Sequence, residues 1–393
     1  MTVAGGNTPN FLWAFETNVR PFVVYKLNPE TLETIDSFSF SNNYELKLES
    51  GKKTYAGGPD GSLYVVAQNV VATGTYIARI YPDFNIDFAF YDGSAGTSVY
   101  PGLASNDYYL WAASSGAGNI IKRWPIDSDW SNLSVTNLTV SGSSPNGSRV
   151  MIYVEEYDGI IYGGQNTSGS GDPLYAARYA STGAPGNPTT MDLTAGVNAT
   201  DGGWLNGDYI AQSKRIVLNN QYNGDIYYRF QVSSAMGLSG QSSVFQPNNY
   251  QYGGTVYLAN VLTLDGAVVK QGVGLGFSYY ASNNSSLSFN SDGNAVRSWG
   301  YQAYGGSSLT HGAFADGTTT SCGNPVSKLY YMNANIGSGP GTDIVAWEID
   351  YNIQAFPRLV ANTPTGVSSW STNALKGICH SSPDSHRQIY TPI

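Results

Sequence analysis

The chain has 393 residues, only 12% of them charged, and a formal net charge of −9. Its Lys and Arg residues are scattered, so it lacks the basic stripe that displaces counterions from nucleic-acid phosphates, and the same lack speaks against an anionic membrane surface. No apolar run approaches the roughly 18 residues of a spanning helix, so neither nucleic acid nor membrane insertion is expected.

Hydrophobic residues make up 41% of the chain and aromatics 13%, with 46 Gly and 30 Tyr. Such a chain can bury a large core, and it favours strands and tight turns over helices. The opening MTVAGGNTPN has neither a basic n-region nor an apolar h-region, so no secretory signal is read from it.

In chain order, TVAGGNTPNFLW (2–13) is echoed by TYAGGPDGSLYVVAQN (54–69). A series of apolar runs follows the same pattern: FLWAFE (11–16), SLYVVAQ (62–68), YYLWAAS (108–114), GIIYGGQ (159–165), RIVLNNQ (215–221), AVVKQGV (267–273) and KLYYMNA (328–334). Each is followed by a partner: FVVYKLNP (22–29), YIARIYPD (76–83), IIKRWPID (120–127), LYAARYAS (174–181), IYYRFQVS (226–233), LGFSYYAS (275–282) and IVAWEIDY (344–351). Asp-Gly pairs such as Asp60-Gly61, Asp158-Gly159 and Asp316-Gly317 read as hairpin turns, because they tolerate positive φ. A repeat of this length built from strands that are apolar on both sides predicts an all-β fold. It is a β-propeller of seven blades, each of about four antiparallel strands, with six or eight as alternatives. Residues 1–393 form one propeller domain, and the phrase ICHSSPDSHRQIYT (378–391) marks 361–393 as a ring-closing tail.

The unit VVYKLNPETLETI (23–35) resembles the surface-layer or YVTN-like propeller repeats, in which the strand runs into a Pro or Asp turn. The resemblance implies the fold. Its members include adhesins, scaffolds and a few enzymes, so it implies no activity.

Among candidate groups, the partner strands carry Lys26, Arg79, Arg123, Arg178 and Arg229 at a matching place, with Glu348 in the seventh unit. They are expected to pin sheets together through buried stems rather than to converge on a ligand. Tyr55, Trp204 and Tyr252 stand beside paired glycines in phrases read as inner strands, TYAGG (54–58), DGGWLNGD (201–208) and QYGGTVY (251–257). They are the ligand-binding candidates, expected at one mouth of the central channel, since Tyr and Trp faces suit sugar rings. Cys322 and Cys379 have no metal-ligand spacing. They are either two buried thiols or a disulfide, the latter if the tail lies near the seventh unit. His311, His380 and His386, Asp127 with Asp129, and Glu155 with Glu156 form no metal or catalytic pattern, and no cofactor is expected.

Low charge and abundant Gly, Asn, Ser, Thr and Tyr, with no catalytic motif, lead to a non-enzymatic structural or adhesive protein outside a cell. A virion component such as a phage tail or appendage fits best, binding neighbouring subunits, copies of itself or a host ligand. The alternatives are a carbohydrate-binding propeller and a propeller lyase or glycoside hydrolase.

Overall fold

The computed structural model describes residues 11–17, 19–29, 31–47, 54–92, 101–113, 120–130, 135–141, 150–163, 173–179, 190–198, 204–211, 213–220 and 226–245. Beyond these it describes 252–262, 268–277, 283–289, 295–302, 312–321, 324–333, 343–349, 358–362 and 375–380. Among them, strands dominate, and one short 3-10 turn lies at Glu155–Tyr157.

The described strands build seven four-stranded antiparallel units, each ordered from an innermost to an outermost strand. In the first, Leu375–His380 is innermost, followed outward by Leu12–Glu16, Phe22–Leu27 and Thr34–Phe40. The second has a split inner strand, Tyr44–Leu46 and Tyr55–Gly57, both paired to Leu63–Asn69, then Gly74–Ile80 and Ile86–Asp92. The third runs Leu103–Ser105, Tyr109–Ala113, Ile120–Pro125 and Thr136–Ser141, and the fourth Val150–Val154, Gly159–Gly163, Pro173–Tyr179 and Thr190–Asn198. The fifth is Trp204–Ile210, Arg215–Asn220, Ile226–Val232 and Leu238–Phe245. The sixth is Tyr252–Leu262, Val268–Phe277, Asn283–Phe289 and Ala295–Gln302, and the seventh Gly312–Ser321, Asn324–Asn333, Asp343–Ile349 and Arg358–Asn362.

Each innermost strand contacts the next, from the second unit through the seventh to Leu375–His380, which in turn contacts Tyr55–Gly57. That cycle closes, and the fold is a β-propeller. Leu375–His380 pairs antiparallel with Leu12–Glu16, so the end of the chain supplies the inner strand of the first sheet. The third and fourth sheets are further joined at their outer edges by a parallel pairing of Thr139–Ser141 with Thr190–Asp192.

Burial explains why the strands are apolar on both sides. The second sheet sends Leu63, Val65 and Ala67 toward the first, and Tyr64 and Val66 toward the third. Leu110 and Ala112 face the second sheet, whereas Trp111 faces the fourth. Successive side chains point to opposite faces of a strand, and here each face is covered by a neighbouring sheet. Burying such side chains stabilises by about 1.5–3 kcal/mol each.

A second device recurs in the turn between third and outermost strands. Leu32, Phe84 and Met236 adopt positive φ of 60°, 63° and 60°, and all are buried. The left-handed conformation costs a residue with a Cβ about 1–2 kcal/mol. Burial offsets it: Phe84 plugs the core between the first and second sheets, and Met236 that between the fourth and fifth. Trp130, in the matching turn of the third sheet, packs on Tyr64 of the second.

Two sequence readings need correction. AVVKQGV and LGFSYYAS are not two strands: Val268–Phe277 continues through Gly274, which pairs with Val256 on one side and Leu287 on the other. Asp316-Gly317 is not a hairpin turn. It lies inside Gly312–Ser321 where the register shifts between Ala315 and Thr319, and a glycine within a strand commonly marks such a bulge.

Candidate functional site

The seven units share one topology, so all innermost strands begin at the same end of the ring, termed the upper end here. At this end the second strands finish and turn into the third. The fifth and sixth inner strands open there on Trp204 and Tyr252. Register shifts immediately after each, between Trp204 and Asn206 and between Tyr252 and Thr255. The inner strand of the first sheet shifts likewise at its start, where Leu375 faces Glu16 and Gly377 faces Phe15. Bulges at strand rims re-aim side chains. The glycine of the fifth inner strand is sterically required: a Cβ on Gly207 would lie 2.6 Å from the Val217 carbonyl oxygen and 2.4 Å from Leu218.

Polar groups of the first two sheets gather at the same end. Glu45, on the split inner strand, accepts from Lys47 at 2.5 Å and faces Arg20 Nε at 3.4 Å, joining the second sheet to Arg20 of the first. The split strand is closed at its neck. The Lys47 amide donates to the Val66 carbonyl, the Val66 amide to the Thr54 carbonyl, and the Thr54 hydroxyl to the Lys47 carbonyl. Glu16 is 7% exposed, and one of its carboxylate oxygens accepts the Val23 amide at 2.9 Å. Burial raises its pKa despite that bond, and burial together with the Glu16 charge pushes the Tyr25 phenol up to about 12.

The structure separates the three aromatic candidates. Tyr55 lies within the split inner strand, 3% exposed, with its ring edge-on to Phe15 at 5.8 Å. It belongs to the core between the first and second sheets and presents no face to a ligand. The TYAGG phrase placed it on the inner strand correctly, but strand alternation turned its ring toward a neighbouring sheet. Trp204 and Tyr252 hold matching first positions, and their side chains lie outside the described residues. Cys322 also lies outside them, so the cysteine pairing is not described; Cys379 sits opposite Trp13 in the inner strand of the first sheet. His311 and His386 lie outside the described residues. Among the described residues, no group of three or more His, Cys, Asp or Glu could hold a metal.

The basic row is built into the lower half of the seams. The Lys26 ammonium donates to the Pro82 carbonyl of the second sheet and lies over Phe84 at 4.4 Å. Arg79 is 5% exposed, donates to the Ile126 carbonyl of the third sheet at 2.5 Å and to Asp60 at 2.9 Å. Arg123 is buried over Tyr109, Arg178 is exposed, and Arg229 bonds Ser242 of its own sheet. Burial works to raise the Asp60 pKa, but hydrogen bonds from Ser62 and Arg79 outweigh it and hold the carboxylate below its ordinary value. Sequence reasoning missed the acceptors of these cations, because the turn carbonyls lie 47 and 56 residues away. Between the fourth and fifth sheets, Glu156 is held instead by the Tyr209 hydroxyl at 2.9 Å and Lys214 at 3.3 Å.

No family model matches the chain, and no curated protein matches it. Among solved structures, it is similar to apo AztD from Citrobacter koseri, with a TM-score of 0.45 and 9% identity over 94% of this chain and 96% of that one. It is also similar to the periplasmic gluconolactonase PpgL of Pseudomonas aeruginosa, with a TM-score of 0.49 and 14% identity over 94% and 98%. At such identities the likeness is one of fold, and the propeller assignment rests on the strand topology above.

The expectation of a virion component is overturned. Neither similar structure is a phage structural protein, and one is an enzyme. Among the described residues, Trp13, Trp111, Trp124, Trp130, Tyr64 and Tyr91 are fully buried in the core. No helix among the described residues is long and apolar enough to cross a membrane.

Proposed function

We propose that the chain is a carbohydrate-binding propeller that acts outside the cytoplasm and takes its ligand at the upper mouth of the central channel. One observation carries this reading: the fifth and sixth inner strands both open on an aromatic residue, Trp204 and Tyr252, and both break register directly after it. A pair of aromatic residues at matching positions of adjacent sheets suits the apolar face of a sugar ring. Glu45 with Arg20 and Lys47 supplies hydrogen-bonding groups at the same end of the ring.

A glycan array with purified protein tests the reading, alongside Trp204→Ala and Tyr252→Ala. Each variant is expected to weaken binding by about tenfold or more, the equivalent of about 1.4 kcal/mol, with an unchanged melting temperature. A wild-type protein that binds no glycan, or variants that bind as well as wild type, would overturn it. Cleavage of an offered polysaccharide would replace the binding role with an enzymatic one.

A further inference from the structure

We propose that the seam between the second and third sheets binds internal water around Trp130, held by the Tyr64 hydroxyl, Arg79 Nε–H and Trp124 Nε1–H. These three polar atoms are buried and have no hydrogen-bond partner among the described residues. Tyr64 and Trp124 are 0% exposed and Arg79 5%. All three side chains surround one ring: the Trp130 centroid is 5.1 Å from that of Tyr64, 6.5 Å from that of Trp124, and 5.6 Å from the Arg79 guanidinium carbon.

Acceptors beside these donors already take other bonds, the Ser128 carbonyl among them at 3.5 Å from an Arg79 nitrogen. Trp130 donates its own Nε1–H to the Pro125 carbonyl, the Ile126 carbonyl takes one Arg79 nitrogen, and Asp60 takes the other along with Ser62. Indole and guanidinium N–H groups only donate, so the atom the seam calls for is an acceptor. Leaving a buried donor unsatisfied costs about 1–3 kcal/mol. Folded proteins hold about one buried water per 27 residues at such places.

Gly58 keeps the Tyr64 hydroxyl reachable. A Cβ there would lie 3.1 Å from the hydroxyl oxygen and 2.8 Å from Asp60 Oδ1. Those distances set hydroxyl and carboxylate within one water's span of each other. The carboxylate also decides the ligand class, since it repels an anion and accepts from water.

A crystal structure at a resolution that places waters, with melting curves for Tyr64→Phe, tests this. Ordered water within hydrogen-bond distance of at least two of the three atoms is expected, and Tyr64→Phe should lower the melting temperature by depriving that water of a partner. A dry seam, or a Tyr64→Phe variant that melts higher because an unpaired hydroxyl was removed, would overturn the proposal. So would an anomalous peak beside Trp130 in bromide-soaked crystals, which would assign the site to an anion.

Discussion

The Arg79 guanidinium lies over the indole of Trp130, its carbon 5.6 Å from the ring centroid, although the two residues belong to neighbouring sheets. One sheet earlier, Lys26 lies over Phe84 in the same relation. Where the next sheet's turn offers Met236 instead of an aromatic ring, the matching Arg178 is exposed. Cation and plug therefore work together: the ring covers the stem, and the turn's carbonyl takes the charge.

Replacing Arg79 by Lys should cost about 1–3 kcal/mol in urea denaturation, because an ammonium cannot fork to both the Ile126 carbonyl and Asp60. The pair contributes less than a fully buried one would because the Asp60 side chain is 38% exposed. Trp130→Ala should cost about 3–5 kcal/mol through the cavity it leaves. The double variant should be less damaged than the sum of the two, as expected for residues in contact. Strict additivity would deny the coupling.

Gly207→Ala should destabilise more than Gly159→Ala. The first Cβ meets the backbone carbonyl of Val217 at 2.6 Å; the three atoms nearest the second all belong to the Met236 side chain, the closest, Cε, at 2.7 Å. A thioether chain can rotate aside, whereas a ladder carbonyl cannot. Overpacking of the first kind costs about 1–3 kcal/mol. Equal melting temperatures for the two variants would contradict this.

Two carboxyl groups should give opposite pH responses. Asp60 has a lowered pKa, so its contribution is present above its ordinary value of 3.8 and is lost as the pH falls through the lower folded value. Glu16 has a raised pKa, so its contribution is present below its ordinary value of 4.5 and is lost as the pH rises through the higher folded value. Asp60→Asn should therefore flatten the acid limb of the stability profile. Glu16→Gln should melt above wild type at neutral pH and converge with it below about pH 4. Melting curves across pH for the two variants check both signs.

A chain ending after residue 374 loses the inner strand of the first sheet, Leu375–His380, and exposes the edge of Leu12–Glu16. Leu12, Trp13 and Phe15 are fully buried in the intact ring. The truncated chain should unfold at a lower urea midpoint and less cooperatively than the full chain, measured by tryptophan fluorescence and circular dichroism. Retention of a cooperative transition at the same midpoint would show that the ring does not depend on this strand.

The architecture was legible in the sequence because its cause is local. Runs such as LYVVA at 63–67 are apolar at every position, and a strand of that kind needs cover on both faces. The recurring phrase around TYAGG marked an innermost strand, and the tail was read as a ring-closing element. Within 361–393, Leu375–His380 is the inner strand of the first sheet, whereas 361–362 end the outermost strand of the seventh, Arg358–Asn362.

What each side chain does was decided by tertiary structure. Tyr55 read as a ligand-facing aromatic, but strand alternation points it at Phe15. The basic row could be read from spacing, whereas its acceptors lie in turns of the next sheet, and Phe84 and Met236 reach the neighbouring seam only through left-handed turns. A one-dimensional pattern specifies which residues must leave water. Which neighbour each one meets depends on the angle at which sheets come together, and that is settled only when the ring closes.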